Sequence, residues 1–146
     1  MNKVTQSIYK NAVDNSLFDS NGNLRFIVGE GTPANVSGMT IISSKWALNG
    51  SNLLFEIIGT FSKNLSANTD LCTFKLPEWI VSNIMTPYLN LVDFIRFDAV
   101  YTDNALATGF MQIYTYGDTV NFKNNDNVTI NGLTFFKIRY NTIIDY

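Results

Sequence analysis

The chain has 146 residues, 46% of them hydrophobic and 15% charged, with a formal net charge of −2 and no His. That length fits one domain able to bury a sizeable core, and so much apolar content with so little charge excludes a disordered chain. The acidic balance, with no basic stripe, argues against nucleic acid or an anionic membrane as partner, and the missing His excludes Ser-His-Asp and Cys-His nucleophiles, HExxH zinc sites and zinc deaminases.

Aromatics reach 14%, with 11 Phe and 7 Tyr, a bias that favours strands. Roughly one residue in eight is Asn, which forms turns and tolerates the left-handed region. Sequons at Asn35, Asn49, Asn64 and Asn127 are what so many Asn produce by chance. The single Cys72 cannot form an internal disulfide, and its place within a strand pattern predicts a buried structural thiol. No apolar run approaches the ~20 residues of a membrane span, and no signal-peptide pattern opens the chain, so no membrane insertion is expected.

Residues 1–20 read as a polar N-terminal connector with scattered apolar anchors, and residues 21–146 as one β-domain. "SNGN" (20–23) is a turn; Leu24 to Val28 reads as a strand closed by the turn "GEGTP" (29–33). "GMTIISSKWALNG" alternates through Met39, Ile41 and Ser43 and ends in Asn49-Gly50, a type I′ signal from which "NLLFEIIGTF" returns, making 38–61 the clearest hairpin. "LCTFKL" follows a polar loop and stops at "PEW". Pro77 lacks a backbone donor and so ends this strand, leaving room for one helical turn in "PEWIVSNIM". Trp79 beside Glu78 would suit a sugar, but the strand pattern favours Trp79 and Ile80 folding back to plug one end of the domain. Further strands are expected at 91–101, 106–116, 119–123 and 128–130, with turns at Asp103-Asn104, Gly117-Asp118, "NNDN" (124–127) and Asn131-Gly132, before a last strand, "LTFFKIRYNTII". About eight to ten short strands with Gly/Asn/Asp turns predict an all-β antiparallel sandwich, jelly-roll-like, with the register of several strands open.

Without His, catalysis would fall to carboxylates, with Glu56, Glu78, Asp93, Asp98, Asp103 and Asp118 as candidates. Glu56 and Asp98 could meet across a sheet face, yet ordinary solvated strand positions explain both, so no catalytic residue is assigned. "NNDN" lacks the spacing and terminal acid of an EF-hand and reads as a turn; no metal and no cofactor is expected. A saccharide asks only for an aromatic face and a few amide or carboxylate partners on loops of a rigid scaffold. Three segments offer that mix: Tyr101, Asp103 and Asn104 in "YTDN"; Tyr114, Tyr116 and Asp118 in "YTYGD"; and Trp46 in "SKW", near "NGSN".

"NGNLRFIVGEGTP", "SGMTIISSKWALNGSNLLFEIIGTF", "LPEWI" and the closing "GLTFFKIRY" together resemble the terminal β-sandwich head domains of tailed-phage receptor-binding and baseplate proteins from Gram-positive hosts. The resemblance runs from about Asn21 to the C-terminus. It implies a jelly-roll-like homotrimer, carried on the virion or made from a prophage in the bacterial cytoplasm, that recognises host cell-wall or other surface polysaccharide without catalysis. Other tail or baseplate proteins would be its protein partners. No shared sugar-binding motif transfers from that family to positions here. The alternative is a purely structural tail or baseplate subunit making protein–protein contacts, and a carboxylate-based glycan hydrolase comes third.

Overall fold

The computed structural model describes residue 18 and residues 21–84, 93–101, 106–130 and 132–145, with backbone alone at 93–101 and 106–110. Among these residues are eight strands and one short helix. In chain order they are β1 (Phe26–Pro33), β2 (Met39–Asn49), β3 (Asn52–Phe61), β4 (Thr69–Lys75), α1 (Glu78–Val81), β5 (Asp93–Tyr101), β6 (Leu106–Tyr116), β7 (Thr119–Asn124) and β8 (Thr134–Ile143). All pairing is antiparallel, in the order β1-β2-β3-β8-β5-β6-β7-β4, and β4 returns to β1 to close a barrel.

The all-β antiparallel class expected from the sequence is what forms. The pairing does not divide into the two sheets of a jelly roll, because two short ladders join the halves. β5 meets β8 from Asp98↔Lys137 to Tyr101↔Thr134. β1 changes partner along its length, pairing with β2 through Glu30 and with β4 from Gly31 to Pro33. A strand that switches neighbours in this way makes a corner.

β1 also corrects the reading of "GEGTP" as a turn. The strand runs straight through it, because two of its glycines provide room rather than a bend. A Cβ on Gly29 would overlap the Trp46 indole, whose Cε2 would lie at 2.6 Å, and a Cβ on Gly31 would come within 2.7 Å of the Cys72 thiol and of the Phe74 ring. The β2–β3 hairpin falls where expected, but its two-residue loop is Gly50-Ser51, between the paired Asn49 and Asn52. Gly50 has φ 64° and Ser51 is not among the positive-φ residues, so the loop is II′-like rather than an Asn-Gly I′ turn. "VTI" forms no strand: Val128 makes a single bridge to Leu65.

Inward-facing residues fill the barrel. Phe55, Phe74 and Phe122 lie 5.0–5.4 Å apart between ring centroids, and Phe61 stacks on Phe136 at 4.3 Å. Leu65, Val128 and Ile130 close one end and Leu76, Ile80, Val81 and Ile84 the other, all of them buried. The second group explains "LPEW". Leu76 N–H still bonds the Asp118 carbonyl (3.0 Å), so the ladder runs to the residue before Pro77; the Pro77 carbonyl then accepts from Ile80 N–H (3.0 Å) and starts α1. Ile80 is the plug, and Trp79 is half-buried against its edge. Cys72 is buried, and burial pushes its thiol pKa up to about 11, which makes it inert at neutral pH.

Candidate functional site

Strand alternation puts Thr73, Asn121 and Tyr114 in one row across the outer face of β4, β7 and β6. Lys75, Thr119 and Tyr116 form the row nearer α1, and Asp70, Lys123 and Gln112 the row on the other side. Hydroxyls and amides tie these rows together. Thr73 Oγ1 donates to Asn121 Oδ1 (2.8 Å), Asn121 Nδ2 to Thr119 Oγ1 (3.0 Å), and Thr119 Oγ1 to the Tyr116 carbonyl (2.7 Å). The donors thus run in one direction across the face towards the β6–β7 turn, and the Asn121 amide keeps a second N–H.

Gly117-Asp118 makes that turn. Gly117 has φ 59° with nothing within 4 Å of a would-be Cβ, so backbone conformation and not crowding selects glycine there. The turn presents Tyr116, 78% exposed, beside Asp118, whose carboxylate lies 3.6 Å from Lys75 Nζ. Two residues back on the same strand face, Tyr114 is half-buried; its hydroxyl donates to Asp70 Oδ1 (3.4 Å), and Lys123 Nζ lies 5.2 Å from its ring centroid. Burial first, and the Asp70 charge second, raise the Tyr114 pKa above its ordinary 10, which keeps the phenol protonated as a donor.

The face therefore combines one exposed aromatic ring with hydroxyl, amide, ammonium and carboxylate groups held on rigid strands. Its two acids are not placed for paired work: Asp70 and Asp118 are separated along the strands by about 14 Å at ~3.4 Å per residue, against the ~5–9.5 Å that glycoside hydrolysis needs. Glu56, another of the acids considered, lies on a different face and accepts from Arg139 Nε (2.8 Å) with Lys137 Nζ at 3.6 Å. The Arg139 hydrogen bond chiefly holds its carboxyl below the ordinary 4.5.

Of the residues expected to touch a saccharide, Tyr114, Tyr116 and Asp118 come together here. Trp46 does not, and this is a correction: it is 5% exposed, points into the barrel and lies against Gly29. The physical reason is the bulge between Ile41 and Ser43 in β2, which shifts the alternation so that Ser44, Trp46 and Leu48 face inward. Tyr101 belongs to β5, where only its backbone is described, and Asp103 and Asn104 lie outside the described residues. Thr73, Thr119, Asn121 and Lys123 were missed by sequence reasoning, although "TVNFK" shows the last three alternating with the buried Val120 and Phe122.

"NNDN" is a clamp. The Asn124 amide donates to the Ser66 and Asp126 carbonyls, Asn127 Oδ1 accepts from Ala67 N–H (2.9 Å), and Asn64 Oδ1 accepts from Ile130 N–H (2.8 Å). Among the described residues no group of three His, Cys, Asp or Glu could hold a metal ion, and no helix is long and apolar enough to cross a membrane.

No protein-family model matches the chain, and no curated protein matches it. Solved structures that the chain matches include the fibre head of bovine atadenovirus type 4, at 9% identity and TM-score 0.43 over 78% of this chain and 96% of that one. A reovirus attachment protein, sigma1, solved with α-2,3-sialyllactose, is similar at 10% identity and TM-score 0.40 over 88% of this chain and 75% of that one. The fibre head of snake adenovirus 1 matches at 8% identity and TM-score 0.30 over 79% and 94%. At TM-scores below 0.5 these likenesses do not bear on what the chain does, and the phage-tail origin that the sequence resemblance implies finds no support in them.

Proposed function

We propose that this chain is a non-catalytic host-recognition domain of a virion that binds surface saccharide through the outer face of β4, β7 and β6. The carrying observation is the exposed Tyr116 ring at the end of a face whose other side chains are hydroxyls, amides and opposite charges. A sugar ring sets its C–H surface on an aromatic plane and its hydroxyls on such groups, and rigid strands lower the ordering cost of binding. Within this reading, the finer assignment to a phage tail or baseplate of a Gram-positive host, with cell-wall polysaccharide as ligand, rests on the sequence resemblance. A glycan array that includes host cell-wall polysaccharide tests it: binding by the native chain that Tyr116→Ala and Asn121→Ala abolish supports the proposal. No binding to any glycan, or binding indifferent to both variants, overturns it.

A second reading, a structural subunit making protein contacts, is favoured by a different observation. Phe26, Val28, Ile42, Phe135 and Ile143 are exposed at 50–65%, all on β1, β2 and β8.

A further inference from the structure

The outer face of β1, β2, β3 and β8 carries a shallow depression of about 500 Å³, whose lining includes Val28, Ala47 and Leu54 beside Lys45, Glu56 and Arg139. The register places its side chains in three rows across the four strands. Nearest α1 are Phe26, Asn49, Asn52 and Ile143; next come Val28, Ala47, Leu54 and Asn141; then Glu30, Lys45, Glu56 and Arg139. The charges in the third row read minus, plus, minus, plus.

That order is self-complementary under one operation. A two-fold axis parallel to the strands, between β2 and β3, reverses each row while keeping rows opposite themselves. Position one then faces position four, and two faces three. Glu30 of one copy meets Arg139 of the other, and Lys45 meets Glu56. In the first row Phe26 meets Ile143, each about half exposed in the single chain (52% and 51%), and Asn49 meets Asn52. In the middle row Ala47 meets Leu54, over the depression. An axis lying along the charged row instead would set every charge against itself, and one along the middle row would set the charges against Phe26, Asn49, Asn52 and Ile143. We infer that two copies of this chain pair through this face by the strand-parallel two-fold, an isologous contact.

Four strands ~4.8 Å apart and three rows ~6.8 Å apart give a patch of roughly 20 by 20 Å. Such a patch buries roughly 800 Å² in total, below the ~1,200 Å² at which stable interfaces begin, so the dimer is a weak one that forms reversibly with concentration. The β4-β7-β6 face is on the other side of the barrel and stays open in the dimer. Two open faces on one particle would raise avidity for a repetitive surface ligand without any new contact.

Sedimentation velocity of the full chain from micromolar to near-millimolar concentration tests the pairing, with circular dichroism melts showing that each variant folds. The native chain moves from monomer to dimer. Phe26→Lys alone and Ile143→Asp alone each weaken self-association about tenfold or more, because the two-fold makes the Phe26–Ile143 contact twice and each variant puts a charge into both. An equimolar mixture of the two variants recovers a dimer, because one half-site then pairs Lys with Asp while the other keeps its native Phe–Ile contact. Recovery in the mixture is specific to this axis. A chain that stays monomeric throughout overturns the inference. So does a trimer indifferent to these variants, or a mixture that fails to recover.

Discussion

Two outer faces of one barrel divide the exposed chemistry differently. On β4, β7 and β6 the polar side chains bond one another in a chain from Thr73 to the Tyr116 carbonyl, with the bare Tyr116 ring at the rim. On β1, β2, β3 and β8 one whole row, Glu30, Lys45, Glu56 and Arg139, is charged in alternating order, and exposed apolar side chains lie to either side of it. Bonded neutral groups on fixed strands suit a small polar ligand. Alternating charges flanked by apolar area suit another folded surface. The contrast shows that aromatic content alone does not locate a binding site; what surrounds each ring does.

Breaking the barrel under the charged face should produce the largest effect. Trp46→Ala removes a buried indole and should cost about 3–5 kcal/mol in urea unfolding. Gly29→Val should be comparably harmful, since its Cβ would occupy the indole's place. A Trp46→Ala chain that unfolds at the native midpoint but loses glycan binding would restore Trp46 as a sugar platform and undo the contrast.

The plug at the α1 end is shared by both faces and should matter somewhat less. Ile80→Ala should cost about 2–5 kcal/mol, and Trp79→Ala about 1–3 kcal/mol, because Ile80 is fully buried and Trp79 only half so. If Trp79→Ala cost more than Ile80→Ala, the indole and not the isoleucine would be the seal.

Much of this architecture was legible. The β2–β3 hairpin, the Gly117-Asp118 turn and the stop at Pro77 follow from alternation and turn chemistry, which are local properties. What stayed hidden depends on partners distant in sequence. The bulge at Ile42 reverses the facing of Trp46, and no residue type marks it. The glycines of β1 look like a turn until Trp46, Cys72 and Phe74 are seen against them. Barrel closure depends on β1 pairing with β4 and β5 with β8, contacts that strand patterns do not encode. For the site, the pair Tyr114 and Tyr116 could be read from their shared strand face, whereas the Thr73–Asn121 bond joins residues 48 apart and could not.

A smaller effect is expected at the charged row. Glu56→Gln should lower stability by a few tenths of a kcal/mol up to about 1, since solvent screens its partners, which are mostly exposed. The folded-state pKa is depressed, so this contribution is present above the ordinary value of 4.5 and is lost as pH falls through the folded value. Denaturation of the native and Gln chains should therefore differ at neutral pH and converge on acidification. A gap that widened in acid would mean that Glu56 does not draw its stability from Arg139.

The smallest change in stability belongs to Tyr116, and it sharpens the comparison most. The ring is 78% exposed and its main-chain carbonyl, not its side chain, receives the Thr119 hydroxyl, so Tyr116→Ala removes little packing and no structural hydrogen bond. Stability should stay within about 0.5 kcal/mol of native. Saccharide affinity should nevertheless fall at least tenfold, because the ring is the one open aromatic plane among that face's described side chains. Tyr114→Phe makes the paired control. It deletes the hydroxyl donated to Asp70 but keeps the ring under Lys123, and so should weaken binding less while costing about 0.5–1.5 kcal/mol of stability. Equal losses of affinity from both variants would mean that the ligand lies along the whole strand and not at its rim.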